Sequence, residues 1–396
     1  MYVYQLAKEL IEHGHECIVL SLSNEKLVDE YDGIQIKYIP FEINAYNDSK
    51  IPQNLKALID LVTDYAPDIF HLHTYTSSMG VNHLLALKNV GIKVLFTSHL
   101  PNFTCLRGDL MRMGNEVCDG LVTRDKCMDC YLHFTGITNV TTRKLLQQAS
   151  RYQFVRDFIP RLNQYNFKVD ILNAFKNKID DIIVVSKWQK SILELNGFQP
   201  NNISVCRQSI KEENIIRQNK AHFSGKLRIG FIGRIVKVKG LHILLESLIK
   251  LDKSKYELNI VGLKSINEVE YYNTMLEMAK SISANWTENL ESSAIFDFLD
   301  GIDLLVIPSI VLETGPIVAF EAMARKLPVL TFNYGGAREL VDIDTGFLVE
   351  NAEEMHNVLK NIIDDKSILN TKSDHINYTR STKDLYLETI KIYSNQ

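Results

Sequence analysis

The chain has 396 residues, 45% hydrophobic and 23% charged, with a formal net charge of −4. This is the composition of a globular protein long enough for two domains, and its slightly acidic balance argues against nucleic acid as a partner. No apolar run approaches the ~20 residues of a membrane-spanning helix, and the opening Met1-Tyr-Val-Tyr-Gln-Leu lacks the basic-then-apolar order of a secretory leader.

In chain order, the first element reads as a helix, Tyr2–Glu12, closed by Gly14 as a helix C-terminus commonly is. Strand patterns follow at Glu16–Leu22 and Ile34–Ile39, a helix at Gln53–Tyr65, and strands at Ile69–His73, Val94–Ser98 and Ile182–Ser186. The polar stretch Lys211–Gly225 reads as a connection. Beyond it, strand patterns recur at Leu227–Ile232, Glu257–Val261, Leu304–Ile307, Val329–Phe332 and Gly346–Val349, with a helix at Leu241–Leu251. Strands alternating with helices imply parallel sheets covered on both faces. The expected fold class is α/β, with two Rossmann-like doubly wound domains facing a cleft at the carboxyl ends of their strands. The expected domains are 1–210, carrying a Cys-rich insertion at 102–133, then 211–375, then a C-terminal helix in 376–396 that packs back on the first domain. A doubly wound domain normally opens with a strand and a Gly-rich turn, and the pattern here starts without them.

The chemistry concentrates in the second half. Ile307-Pro-Ser-Ile-Val-Leu-Glu313-Thr-Gly315-Pro316-Ile317-Val318-Ala-Phe-Glu321 reads as strand, tight turn and helix. Pro316 suits the first helical position, which needs no amide hydrogen, and a helix start is a ready anion site. Two acids around such a start fit a ligand with a diphosphate core and hydroxyl-rich ends, as in a nucleotide sugar. Strand Leu227–Ile232 runs into Gly233-Arg234-Ile-Val-Lys237-Val-Lys239-Gly240, where Arg234 offers a phosphate-matching fork and Lys239 a mobile point charge. Gly335 and Gly336, after strand Val329–Phe332, permit close backbone approach to a ligand.

Arg234 and Lys239 spaced by five, the glutamates with seven residues between them, and Gly335-Gly336-x-x-Glu339 together resemble the retaining glycosyltransferases of family 4, which have the GT-B fold. Leu-Ala-Lys-Glu-Leu-Ile-Glu-His-Gly-His-Glu at 6–16 and Val-Val-Ser-Lys-Trp-Gln at 184–189 extend the likeness to the first half. The resemblance implies a transferase moving a sugar from a nucleotide-diphosphate donor to a glycan, lipid-linked or small-molecule acceptor in cell-surface polysaccharide assembly. Arg234 and Lys239 would neutralise the diphosphate without a metal. Glu313 would bind sugar hydroxyls, amides around Gly315–Val318 would reach the sugar or phosphate, and Glu321 would accept from the ribose. His99 would face the sugar from the first domain; a strand-capping role is its plainer reading. The family's usual mechanism is front-face displacement, in which the departing phosphate helps deprotonate the acceptor, so Glu313 is not assigned as a nucleophile. Lys326 stands where a glycine is common; a positive φ there would cost about 1 kcal/mol. The missing opening strand and loop motivate an alternative, a catalytically impaired nucleotide-sugar-binding scaffold of a glycan assembly complex. A nucleotide-sugar epimerase is a weaker option.

Cys105, Cys118, Cys127 and Cys130 end in a C-x2-C knuckle inside Asn102–His133. They fit a structural zinc, with reduced thiols, an iron–sulfur cluster or two disulfides as the other readings. Cys17 and Cys206 read as core residues. In Thr141–Lys178, Tyr152, Phe154, Phe158, Tyr165 and Phe167 alternate with basic residues and are expected in the core ahead of a membrane- or acceptor-facing surface. The expected compartment is the cytoplasm, with peripheral contact at the inner membrane face left open.

Overall fold

The computed structural model describes residues 1–42, 53–76, 78–216 and 225–394. It divides into two compact units: Met1–Arg207 with Lys383–Gln396, and Gln208–Thr382. Residues 217–224 of the connection expected at Lys211–Gly225 lie outside the described residues.

In unit 1, β1 (Ile18–Leu22), β2 (Glu30–Tyr31) and β3 (Ile34–Ile39) form a small sheet in the order β1-β3-β2. A parallel sheet in the order β4-β5-β8-β9 is built from β4 (Ile69–His73), β5 (Lys93–Ser98), β8 (Asp181–Val184) and β9 (Ile203–Val205). Between β5 and β8 lies a hairpin of β6 (Met111–Arg112) and β7 (Glu116–Val117). Val94, Leu95 and Phe96 of β5, and Ile182, Ile183 and Val184 of β8, are all buried. Such apolar runs mark strands covered on both faces. Helix Tyr2–Glu12 buries Leu6 and Leu10 in a cluster shared with Leu385, Tyr386 and Ile392 of helix Thr382–Ser394.

Unit 2 holds a six-stranded, all-parallel sheet. Its strands are β10 (Leu227–Ile235), β11 (Tyr256–Lys264), β12 (Asn285–Glu288), β13 (Leu304–Ile307), β14 (Val329–Phe332) and β15 (Gly346–Val349), in the spatial order β12-β11-β10-β13-β14-β15. The chain builds outward from β10 to one edge and then restarts at β13 on its other side. This creates a topological switch point between β10 and β13, where doubly wound sheets bind ligands outside the strands' carboxyl ends. Every residue of β13 and β14 is buried. Helix Leu241–Ile249 covers one face through Leu241, Leu244, Leu245 and Leu248, packed with Met355 and Leu359 of helix Ala352–Asp364.

Several elements differ from the sequence reading. β10 runs three residues past Ile232, because its pairing with β11 continues to Ile235 opposite Lys264. Gly233 and Arg234 therefore belong to the strand, and the loop is the 3-10 turn Lys237–Lys239 with its flanks. Thr141–Lys178 is broken into helices Val140–Ala149, Gln153–Phe158 and Gln164–Lys178, with a 3-10 turn at Pro160–Asn163 where proline cannot donate to a continuing helix. Tyr152, Phe154 and Phe158 are 61%, 64% and 85% exposed, which corrects the expectation of a core role for these three. The short strands β9 and β12 carried no pattern long enough to read. Among the described residues, no helix is long and apolar enough to cross a membrane.

Candidate functional site

The switch point in unit 2 gathers most of the second-half candidates. After β10 the chain turns through Lys237–Lys239 and enters helix Leu241–Ile249 at Gly240, whose φ of 71° is left-handed. A Cβ on Gly240 would lie 1.8 Å from the Pro308 carbonyl oxygen, so this turn seats directly on the loop leaving β13. The Ile310 amide donating to the Val238 carbonyl (2.9 Å) ties the same two loops. A third loop is held as closely. A Cβ on Gly336 would come within 2.5 Å of the Thr314 carbonyl, and the Gly336 amide donates to the Glu313 carbonyl at 2.6 Å. Only glycine lets these backbones approach so far. Gly233, by contrast, has room for a side chain, its nearest neighbour being Phe231 at 3.8 Å.

These contacts bring Lys239 and Glu313 together. The Lys239 ammonium donates to Glu313 Oε1 at 2.5 Å, and Ser309 Oγ donates to the same oxygen at 2.7 Å. Tyr334 donates to the Ser309 carbonyl at 3.1 Å, fixing the loop from the opposite side. Burial, and then the Glu313 charge, pushes the Tyr334 phenol up to about 12, so it stays a donor. Arg234 lies exposed near the end of β10 and makes no hydrogen bond or ion pair among the described residues. The sequence reading separated Lys239, on phosphate, from Glu313, on sugar; in the structure the two are an ion pair.

Pro316 occupies the N-cap of helix Ile317–Ala324, one position before the expected one. Its ψ of 122° is not helical, while its carbonyl already accepts from the Ala319 amide at 2.9 Å. The amides of Ile317 and Val318 are thus among the first of the helix, which have no partner within it. Gly315 is anchored from behind by Gln208, whose side-chain amide donates to the Gly315 carbonyl at 3.3 Å.

Glu321 is the least ordinary residue of the set. It sits on the first turns of this helix, 4% exposed, and among the described residues its carboxyl has neither a hydrogen bond nor an ion pair. Burial alone pushes its pKa up to about 7. A buried carboxyl without a partner is costly, and proteins keep such groups chiefly where a ligand completes them.

In unit 1, His99 follows β5. Its Nε2 meets His73 Nδ1 at 3.1 Å, with the rings stacked 5.4 Å apart. His71 lies against His73 in turn, with ring centroids 4.1 Å apart and planes tilted by 34°, and bonds Thr97 and Tyr393, both at 2.7 Å. Burial holds His99 at about 4 and His71 at about 3, so the cluster is neutral at physiological pH. His73 was missed from sequence; the His71-x-His73 alternation at the end of β4 was the signal, since residues two apart on a strand share a face. Ser309 and Gln208 were missed as well, and neither has a sequence signature.

Cys105, Cys118, Cys127 and Cys130 line one small cavity, although among the described residues no group of three or more His, Cys, Asp or Glu side chains is arranged to hold a metal ion. Cys206 is fully buried and Cys17 partly so.

Residues 212–382 match the family model for glycosyl transferases group 1, and residues 1–128 match that for glycosyltransferase family 4. The capsular polysaccharide biosynthesis glycosyltransferase CapM of Staphylococcus aureus is 26% identical over 206 residues, 48% of this chain and 54% of CapM. The chain spans about half the length of this and the other first curated relatives it matches. A glycosyltransferase from Rickettsia africae superposes with a TM-score of 0.70 at 19% identity, over 99% of this chain and 93% of that one. Anabaena Alr3699/HepE, solved with UDP and glucose, gives a TM-score of 0.66 at 15% identity, over 99% and 95% of the two chains. The two family models take in well over half of the residues between them, and the doubly wound sheets agree with the solved folds: the chain belongs to the glycosyltransferases of family 4 type, with the GT-B fold.

Proposed function

We propose that this chain moves a sugar from a nucleotide-diphosphate donor to a glycan, lipid-linked or small-molecule acceptor, with retention at the anomeric carbon, in the assembly of a cell-surface polysaccharide. The observation that carries the reading is the buried, unpartnered Glu321 carboxyl on the helix that starts at the switch point of unit 2. A ribose diol supplies two donors to one carboxylate, which would satisfy it. Lys239 and Arg234 supply the positive charge a diphosphate needs, and the first amides of helix Ile317–Ala324 add to it. On donor binding, Lys239 gains phosphate oxygens as further partners, while Glu313, still held by Ser309, accepts from sugar hydroxyls. Charge building on the departing diphosphate is stabilised by groups already in place, so little reorganisation is required at the transition state. Within unit 1, His99, held neutral by burial, is kept as a candidate sugar-binding group. The setting is supported by CapM, named for capsular polysaccharide biosynthesis, and the donor class by HepE, solved with UDP and glucose.

The test is a melting-temperature screen across nucleotide sugars differing in base and sugar, followed by NMR of the anomeric proton in the product made from the best donor. One donor is expected to raise the melting point and to be consumed with its configuration kept. Consumption with inversion would overturn the retaining mechanism. A screen in which no nucleotide sugar binds or is consumed would overturn the whole reading.

A further inference from the structure

The four-cysteine segment is not used by the transfer reading and does not depend on it. Cys105 follows the 3-10 turn Pro101–Phe103, Cys118 closes the β6–β7 hairpin with its amide donating to the Leu110 carbonyl (2.8 Å), and Cys127 and Cys130 lie one turn apart on helix Arg124–Phe134. Three separate pieces of chain therefore bring their cysteines to the wall of one cavity. The cavity they line measures about 30 Å³, room for an ion and not for a substrate.

Two further features favour an ion there. The first is strain. Leu110 and Met113 have φ of 53° and 52°, a left-handed conformation that costs a residue with a Cβ roughly 1–2 kcal/mol. In that conformation the Met113 amide donates to Cys130 Sγ at 3.3 Å, a bond that strengthens when the sulfur is a thiolate. The strands of the hairpin are only two residues each, too short to hold this geometry by themselves. The second feature is charge. Arg107 and Lys126 line the cavity, and the Lys168 ammonium, which donates to the Asn102 carbonyl at 2.6 Å, lies within electrostatic reach of Cys105 and Cys127. Four thiolates around a divalent ion carry a net charge of −2, which Lys168 offsets in part, Arg107 and Lys126 being already paired with Asp109 and Asp119.

We propose that Cys105, Cys118, Cys127 and Cys130 bind one zinc ion as a closed tetrathiolate site that clamps the hairpin to helix Arg124–Phe134. Four protein ligands leave no position for a reacting water, so the site is structural. Binding converts four thiols and one Zn²⁺ into a tetrathiolate complex and four protons released to solvent. Because no three donor groups yet surround a single point, the sulfurs move inward across the cavity as the ion binds.

The test uses the full chain, purified under reducing conditions with zinc in the growth medium, and measures metal by mass spectrometry after gel filtration. About one zinc per chain is expected, falling to about a tenth or less in the double variant Cys127→Ser/Cys130→Ser. Cobalt(II) loading of the unsubstituted chain keeps the proposal testable if that variant does not fold: a thiolate-to-cobalt charge-transfer band with intense tetrahedral d–d absorption is expected. The proposal is overturned by a metal-free chain whose four thiols react freely with a thiol reagent in the native state. An intact mass lighter by two or four hydrogens would assign disulfides instead, and stoichiometric iron with visible absorption would assign a cluster; either result also overturns it.

Discussion

Glu321 sets a conflict between stability and binding within a single side chain. Its pKa in the folded chain, about 7, lies above the ordinary 4.5, so between those values the folded state holds a proton that the unfolded state has lost. The burial cost therefore grows as pH rises through this window and is complete above about 7. Glu321→Gln is expected to stabilise the ligand-free protein by up to about 3 kcal/mol at pH 8 and by almost nothing at pH 4, read from urea midpoints. The same variant is expected to lose at least about tenfold in donor affinity at pH 8. Affinity of the unsubstituted chain should fall by up to about tenfold per unit below pH 7, because only the carboxylate accepts twice. Lys239→Ala is expected to lower kcat by about a hundredfold or more, since in the proposed reaction it removes charge from the leaving diphosphate and it also breaks the ion pair with Glu313. Lys326 has a φ of 52°, so Lys326→Gly should raise stability by about 1 kcal/mol in the same denaturation assay. Part of this scale was open to sequence reading: Glu313, Glu321 and Lys239 stood out by residue type and spacing, whereas the strain at Lys326 was expected from the family resemblance, in which a glycine is common there. The Lys239–Glu313 pair was not, because two residues 74 positions apart meet only through tertiary packing.

At the scale of elements, three loops are locked to each other by glycines. Gly240→Ala would force a side chain into the Pro308 carbonyl and is expected to destabilise unit 2 by about 3 kcal/mol, with donor binding lost in parallel. Gly233→Ala, one strand position before Arg234 and with open space beside it, should cost well under that. A thermal-shift series on the two variants separates steric need from mere occurrence in a motif. The central strands were readable because β13 and β14 are apolar throughout, as strands buried on both faces must be. The end of β10 was not, because Gly233 and Arg234 look like a turn until their pairing with β11 is known. Likewise Tyr152, Phe154 and Phe158 carry helical spacing, yet the short helices around Pro160 leave them facing outward.

Over the whole molecule, the chain leaves unit 1 at Arg207 and rejoins it at Lys383. Deleting residues 383–394 should remove Leu385, Tyr386 and Ile392 from the cluster with Leu6, Leu10 and Cys206, at about 1.5–3 kcal/mol for each. The expected outcome in calorimetry is a lowered transition for unit 1, with the donor-induced shift of unit 2 kept. The sequence showed two doubly wound halves through their alternating elements. That return has a consequence for synthesis. Ile210 and Ser381 form a parallel bridge within unit 2, so the two ends of that unit lie side by side and its set of contacts is closed once Thr382 has emerged from the ribosome. Unit 1, although translated first, waits for helix Thr382–Ser394 to cover Leu95, Ile183 and Val185. The half made second is the half able to finish folding first, and the nascent first half must keep an apolar face open until the last turn of that helix arrives.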